Sequence, residues 1–255
     1  MIPKIIPPLT GLSVLVTRPA AQTEPLCAHI ERLGGIAVRF PTILIEPQSA
    51  PPAEPCDLVV FASVNAVALG HHLLAPNPTM KIAAIGRATA AALKEVGLQV
   101  DYVPDAGFTS EALLAHPDLQ LRAGMRVLIV RGEGGRTLMQ TEFAARGLHV
   151  ETREVYRRVR PQVDPAVRDA LEMQWSEDGV DVVTLTSVST LDHLREMLSE
   201  RGRALLERTP VLVVSARIAA AARAAGLKGD ILLAPAADDA SIVGTLALWH
   251  SRARA

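Results

Sequence analysis

The chain has 255 residues, more than one core usually holds, and its 49% apolar and 21% charged composition excludes a disordered or fibrous protein. Lysine and arginine number 26 against 27 acidic residues, and aromatics make up only 3%. Neither a duplex-binding face nor a base-stacking platform is indicated, so nucleic acid is not an expected partner.

Met1 to Gly11, broken by Pro3, Pro7 and Pro8, has no continuous apolar segment and no cleavage pattern, and no later run is long enough to span a bilayer. A cytoplasmic protein with no membrane partner is expected. Cys27 and Cys56 lack any C-x-x-C or Cys/His spacing and read as packing thiols of a reducing compartment. The seven histidines share no ligand spacing, so no metal is expected.

The first strand is expected in Gly11-Leu-Ser-Val-Leu-Val-Thr-Arg18, followed by a helix that closes on Gly34. Ala37 to Ile45 is strand-like and stops at Pro47. Asp57-Leu-Val-Val-Phe-Ala-Ser-Val-Asn65 gives the next strand and turn, and Lys81-Ile-Ala-Ala-Ile-Gly86 the third, with an alanine-rich helix from Arg87 to Val96 before Gly97. The same three units then recur. Gly124-Met-Arg-Val-Leu-Ile-Val-Arg131 answers the first, with its helix ending at Gly147. Glu151 to Arg160 alternates charged with other residues, as a solvated ribbon does, and stops at Pro161. Asp181-Val-Val-Thr-Leu-Thr-Ser-Val-Ser189 answers the second unit, and Pro210-Val-Leu-Val-Val-Ser215, with Ala216 to Ala225 and Gly226, the third.

Each unit reads as strand, turn, helix and glycine C-cap. Fully apolar strands separated by helices belong to parallel sheets buried on both faces. The expected fold is therefore α/β, with two similar domains, each a parallel sheet flanked by helices, joined by a two-stranded β linker.

Ligands of open parallel sheets collect at the carboxyl ends of the strands, where helices present unpaired N–H groups. Small hydroxyl and amide residues stand there: Ser63, Asn65, Gly86, Thr89, Thr186, Ser187, Ser189 and Ser215. Taken singly each reads as a helix cap; taken together they suit a cleft that binds many carboxylates. Arg18 and Arg131 end the first strand of each copy and read either as carboxylate ligands or as surface arginines. Gly132-Glu-Gly-Gly-Arg136 does not match G-x-G-x-x-G and has no following P-loop lysine, which argues against nucleotide binding. Tyr156, one of two tyrosines, sits in a strand-like segment and reads as a packing tyrosine or as a functional one.

Val-Thr-Arg-Pro19, Phe-Ala-Ser-Val-Asn-Ala-Val67, Ile-Gly-Arg-Ala-Thr-Ala-Ala-Ala-Leu93, Thr-Ser-Glu-Ala-Leu-Leu114, Arg131 to Arg136, Tyr156 and Thr-Ser-Val-Ser189 follow one another in an order that resembles the uroporphyrinogen-III synthase family. The resemblance implies a cofactor-free enzyme that cyclises hydroxymethylbilane, expelling its terminal hydroxyl as water and inverting the last pyrrole through a spiro intermediate. It implies that Tyr156 assists loss of the hydroxyl. It implies too that the substrate's acetate and propionate carboxylates are held largely by backbone amides, with Ser63, Asn65, Thr89, Thr186 and Ser187 at cleft-lining positions; Val64, Gly86, Val188, Ser215, Arg18 and Arg131 complete the expected substrate-binding set. Its partners would be that small-molecule substrate and, transiently, the preceding enzyme of the pathway. The family further implies discontinuous domains, 1–37 with 161–255 and 46–150, with linker strands at 38–45 and 151–160. Where the family pattern reads Ser-x-x-Thr-Ala, this chain has Ser215-Ala-Arg-Ile218-Ala, so a hydroxyl expected at a helix start is missing. The competing reading, from another class, is a non-catalytic two-domain sensor that closes on an anionic metabolite.

Overall fold

Short strands whose side chains alternate between two covered faces decide the architecture. The computed structural model describes residues 6–75, 77–107 and 109–253; Met1–Ile5, the start of the segment read as carrying no leader, lie outside the described residues. The chain divides into two compact units, one within Met1–Leu44 and Val159–Ala255 and the other Ile45–Arg158.

The first unit begins with strand β1 (Ser13–Val16), helix α1 (Ala20–Arg32) and β2 (Ile36–Arg39). The second contains β3 (Leu44–Pro47), β4 (Leu58–Phe61), α2 (Val64–Gly70), β5 (Lys81–Ala84), α3 (Arg87–Glu95), α4 (Ser110–Leu114), β6 (Arg126–Gly132), α5 (Leu138–Ala145) and β7 (His149–Val159). The chain then completes the first unit with α6 (Pro165–Gln174), β8 (Val182–Leu185), α7 (Val188–Met197), α8 (Glu200–Arg208), β9 (Val211–Val213), α9 (Ala216–Ala224), β10 (Ile231–Leu233) and α10 (Asp239–Ala253).

The first sheet has the order β10-β9-β8-β1-β2, and all four pairings are parallel. Leu15, Val183, Leu185, Val211 and Val213 face a core built with α6 to α9. Val14, Val16, Val182 and Leu212 face the opposite core, with Leu26 and Ile30 of α1 and Ile242 and Leu246 of α10. The period of two is what a strand covered on both sides produces.

The second sheet has the order β3-β7-β6-β4-β5, with β7, β6, β4 and β5 mutually parallel. Val59, Phe61, Leu128 and Val130 pack under α2 and α3, while Leu58, Val60, Val127 and Ile129 pack against Phe143 and Met139 of α5. The repeat noted in the sequence is thus divided between sheets: β1 lies beside β8, and β6 beside β4. The segments 38–45 and 151–160, expected as linker strands, are sheet members. Val38 and Arg39 end β2, Leu44 and Ile45 open β3, and residues 151–159 extend β7.

Among the described residues no helix is long and apolar enough to cross a membrane. Cys27 and Cys56 are free and buried, and burial pushes the Cys56 thiol up to about 11. Since the thiolate is the reactive form, Ellman's reagent at neutral pH is expected to leave both cysteines of the native protein unmodified over minutes and to titrate both in denaturant. Rapid native labelling of either would show that its covering helix opens.

Candidate active site

The carboxyl end of the second sheet gathers its polar groups by local rules. β4 stops at Phe61, and Ser63, extended at φ −169°, accepts the Ala66 N–H at 3.1 Å as the N-cap of α2. In that geometry the amides of Val64 and Asn65, at the first two helical positions, have no carbonyl behind them. Gly86 precedes α3 without a side-chain cap, so the first turn of that helix also lacks a capping oxygen. Thr89, at its third position, is turned into the buried layer.

Tyr156 arrives at this edge through an irregularity. β6 and β7 run in register as far as Arg131↔Glu154 and then skip Val155, so that Gly132 lies opposite Tyr156. The tyrosine is 1% exposed. Its phenol oxygen lies 3.0 Å from Ser63 Oγ and accepts from Arg158 Nη2 at 2.9 Å. A Cβ on Gly132 would stand 2.5 Å from Tyr156 Cζ, a distance no side chain tolerates, so glycine is required where the ring lies on the strand. The glycine-rich turn, whose spacing argued against nucleotide binding, thus has its first glycine required by packing. Its other members wrap Arg131, whose Nη1 donates to the carbonyls of Gly135 and Arg136 while Nη2 pairs with Glu154 at 2.9 Å. Beyond it, Arg136 holds the Glu111 carboxyl down at about 2 and ties the turn to α4.

The first unit repeats the pattern at its own strand ends. Thr186 leads to Ser187, which caps α7 by accepting from Thr190 N–H at 3.0 Å and leaves the Val188 and Ser189 amides at the helix start. Ser215 caps α9 through the Ile218 N–H. Ile218 itself is buried in the core, so the residue that stands where a threonine was expected faces apolar neighbours, and the missing hydroxyl costs that helix start no capping bond. Arg18 is buried. Its guanidinium pairs with Asp239 at the start of α10 and donates to the Ala237 carbonyl.

Both sequence-selected arginines are thus committed to groups of their own unit. Arg158, which sequence reading passed over, is not. Its neighbours Arg157 and Arg160 pair with Glu46 and Glu196, whereas Arg158 is exposed, has no ion-pair partner among the described residues, and lies 5.2 Å from the Tyr156 ring centroid. The signal available was its i+2 spacing from Tyr156, which puts both on one face of a strand. Among the described residues no group of histidine, cysteine and carboxylate side chains is placed to hold a metal ion.

The sequence profile of the family described as uroporphyrinogen-III synthase HemD matches residues 24–243. The chain belongs to the uroporphyrinogen-III synthase family. It is 36% identical over 250 residues to the uroporphyrinogen-III synthase of Salmonella typhimurium and 35% identical over 249 residues to that of Escherichia coli, in each case across 92% of this chain and 100% of the relative. The fold is that of solved uroporphyrinogen-III synthases: the Helicobacter pylori structure aligns with a TM-score of 0.60 at 14% identity over 93% of this chain and 99% of that one. A mutant of the Thermus thermophilus protein aligns with a TM-score of 0.57 at 23% identity over the same shares.

Two substitutions test how this family member builds the site. Gly132→Ala is expected to push the Tyr156 ring off Ser63 and to destabilise the fold by about 1 to 3 kcal/mol, the usual range for overpacking, read from the denaturant midpoint. Arg18→Ala is expected to cost about 2 kcal/mol, below the roughly 3 to 5 of a fully buried pair, because the Asp239 side chain it leaves behind is 30% exposed. A midpoint unchanged by Arg18→Ala would mean that the strap to α10 carries no stability.

Proposed function

We propose that this chain cyclises hydroxymethylbilane to uroporphyrinogen III, with loss of water and inversion of the last pyrrole ring, and that the residues at the carboxyl ends of its two sheets do so. The observation that carries the activity is the breadth of the relationship: curated synthases match over their whole length at 35 to 36% identity. The residue assignments are our own reading of the geometry.

The bilane supplies its own electron push, because a pyrrole nitrogen lone pair can expel the adjacent hydroxyl. The protein has to hold the chain near its cyclic shape, exclude water from the cation, and help the hydroxyl depart. Tyr156 is assigned the last task. It is fixed on both sides, by Gly132 against the ring and by Ser63 and Arg158 at the oxygen, and a phenol can donate to a leaving oxygen.

The carboxylates are assigned to helix starts: the amides following Gly86, Ser187, with Thr186 before it and Val188 after it, and Ser215 at the longer helices, and Ser63, Val64 and Asn65 at the shorter α2. In α2, α7 and α9 the serine side chains already serve the third amide, so the first two remain for an anion, while the first turn after Gly86 has no capping side chain at all. Arg18 and Arg131 shape the loops around these starts, and Thr89 supports α3 from within. We read the chain as two domains, one of them discontinuous, with crossings near residues 40–45 and 158–161. No cofactor enters this scheme.

Assay of the oxidised uroporphyrin isomers tests both levels of the proposal. The native chain is expected to give the type III isomer, and Tyr156→Phe to bind substrate normally but turn over roughly 10²-fold more slowly, the low end of general-acid effects, with type I rising as escaped bilane closes spontaneously. A native chain that yields only type I would sink the activity; a Phe variant with unaltered turnover would remove Tyr156 from the chemistry.

A further inference from the structure

We infer that Ser63 is the group that hands the proton to the departing hydroxyl, and that Arg158, Tyr156 and Ser63 form one directed hydrogen-bond chain ending at that serine. The inference rests on the reading that Tyr156 assists loss of the hydroxyl and specifies how a buried phenol does so.

The direction follows from counting donors. Arginine has no acceptor, so the contact from Arg158 Nη2 at 2.9 Å makes the phenol oxygen an acceptor there. The 3.0 Å contact with Ser63 Oγ can run either way. Were the serine the donor, the phenol proton, on a side chain only 1% exposed, would have no acceptor among the described residues, and an unsatisfied buried donor is costly. The phenol therefore donates to Ser63. The serine oxygen now accepts twice, from Tyr156 and from the Ala66 N–H at 3.1 Å, which occupies both lone pairs and leaves its own O–H as the one hydroxyl proton of the chain without a partner in it. Of the two hydroxyls, Ser63 is the more exposed, half-buried where Tyr156 is 1% exposed.

The step balances. As the C–O bond of the hydroxymethyl group breaks, its electron pair leaves with oxygen and the pyrrole nitrogen lone pair fills the carbon. Ser63 passes its proton to that oxygen, which departs as water, and takes the phenol proton in turn. The resulting phenolate faces the Arg158 guanidinium, which has no competing ion pair among the described residues. The first closure, at the substituted carbon of the last ring, releases no proton. Once the spiro intermediate opens and the inverted ring closes through its free α-carbon, that carbon gives up its hydrogen as a proton, which returns along the same chain, so the protein ends as it began. Ser63 is then the catalytic residue, Tyr156 its proton source, and Arg158 a positioning residue.

The test uses steady-state turnover of hydroxymethylbilane by the full chain and its variants, with isomer analysis. Ser63→Gly removes the hydroxyl while keeping a residue that serves well as an N-cap. The chain predicts that Ser63→Gly and Tyr156→Phe each lower kcat by about 10²-fold at unchanged KM, that the double variant is no slower than either single one, and that Ser63→Thr recovers turnover. Arg158→Met should lower kcat without raising KM, and Arg158→Lys should recover part of the loss. Native-like kcat in Ser63→Gly with a slow Tyr156→Phe would overturn the serine outlet and leave the tyrosine acting directly, as would losses that multiply in the double variant. Native-like kcat in both would overturn the tyrosine reading itself. A raised KM with native kcat in Arg158→Met would remove Arg158 from the chain and make it a carboxylate contact.

Discussion

A parallel strand covered on both faces takes a polar side chain before the sheet ends only where its donor is satisfied internally, as the Thr184 hydroxyl of β8 is by the Leu15 carbonyl. In β4 and β8 every residue is buried, and so is every residue of β1 and β9. The hydroxyls that cap the helices, Ser63, Ser187 and Ser215, therefore stand outside the core, where each strand turns into its helix. The same constraint fixes what surrounds them, because a helix that must lie flat on the sheet begins at the strand end with its unpaired amides there. Polar chemistry is thus confined to a thin rim by the burial of everything behind it.

That rim was only partly legible in the sequence. Apolar runs and glycine stops repeat with a fixed order, so the strands, the helices and the serine caps could be read directly. What could not be read depends on partners far apart along the chain. Arg18 looks like its counterpart Arg131 and like any arginine past a strand, yet its partner Asp239 lies 221 positions away. The Gly132–Tyr156 contact arises from a skipped residue in the β6–β7 register, which no side-chain pattern encodes. Ile218 read as a lost hydroxyl because the family pattern places threonine there, but the third residue of a helix lying on a sheet points down into the core, as Thr89, Ala66 and Thr190 do at their own starts.

The two copies of the first unit converge on one device. Arg18 just past β1 and Arg131 near the end of β6 both turn back on a carboxylate of their own unit, and both leave a buried Nε without a hydrogen-bond partner among the described residues. In each case the arginine anchors the loop that follows its strand. A charge that looks available for a ligand in the sequence is, in the fold, an internal strut.

With those arginines committed, the proposed grip on a polyanion has to come from elsewhere, and the net charge of −1 rules out a general electrostatic attraction. Helix-start amides meet that need. They are dipoles fixed by the backbone, so they stabilise a carboxylate without adding net charge and without ordering a long side chain at the moment of binding. A lysine-lined site would carry charge repulsion of its own when empty, whereas a rim of amides is stable unliganded and already in place. Arg158, on the same strand face as the phenol it touches, has no ion-pair partner among the described residues, and in the proposed scheme it faces the charge that develops on that phenol.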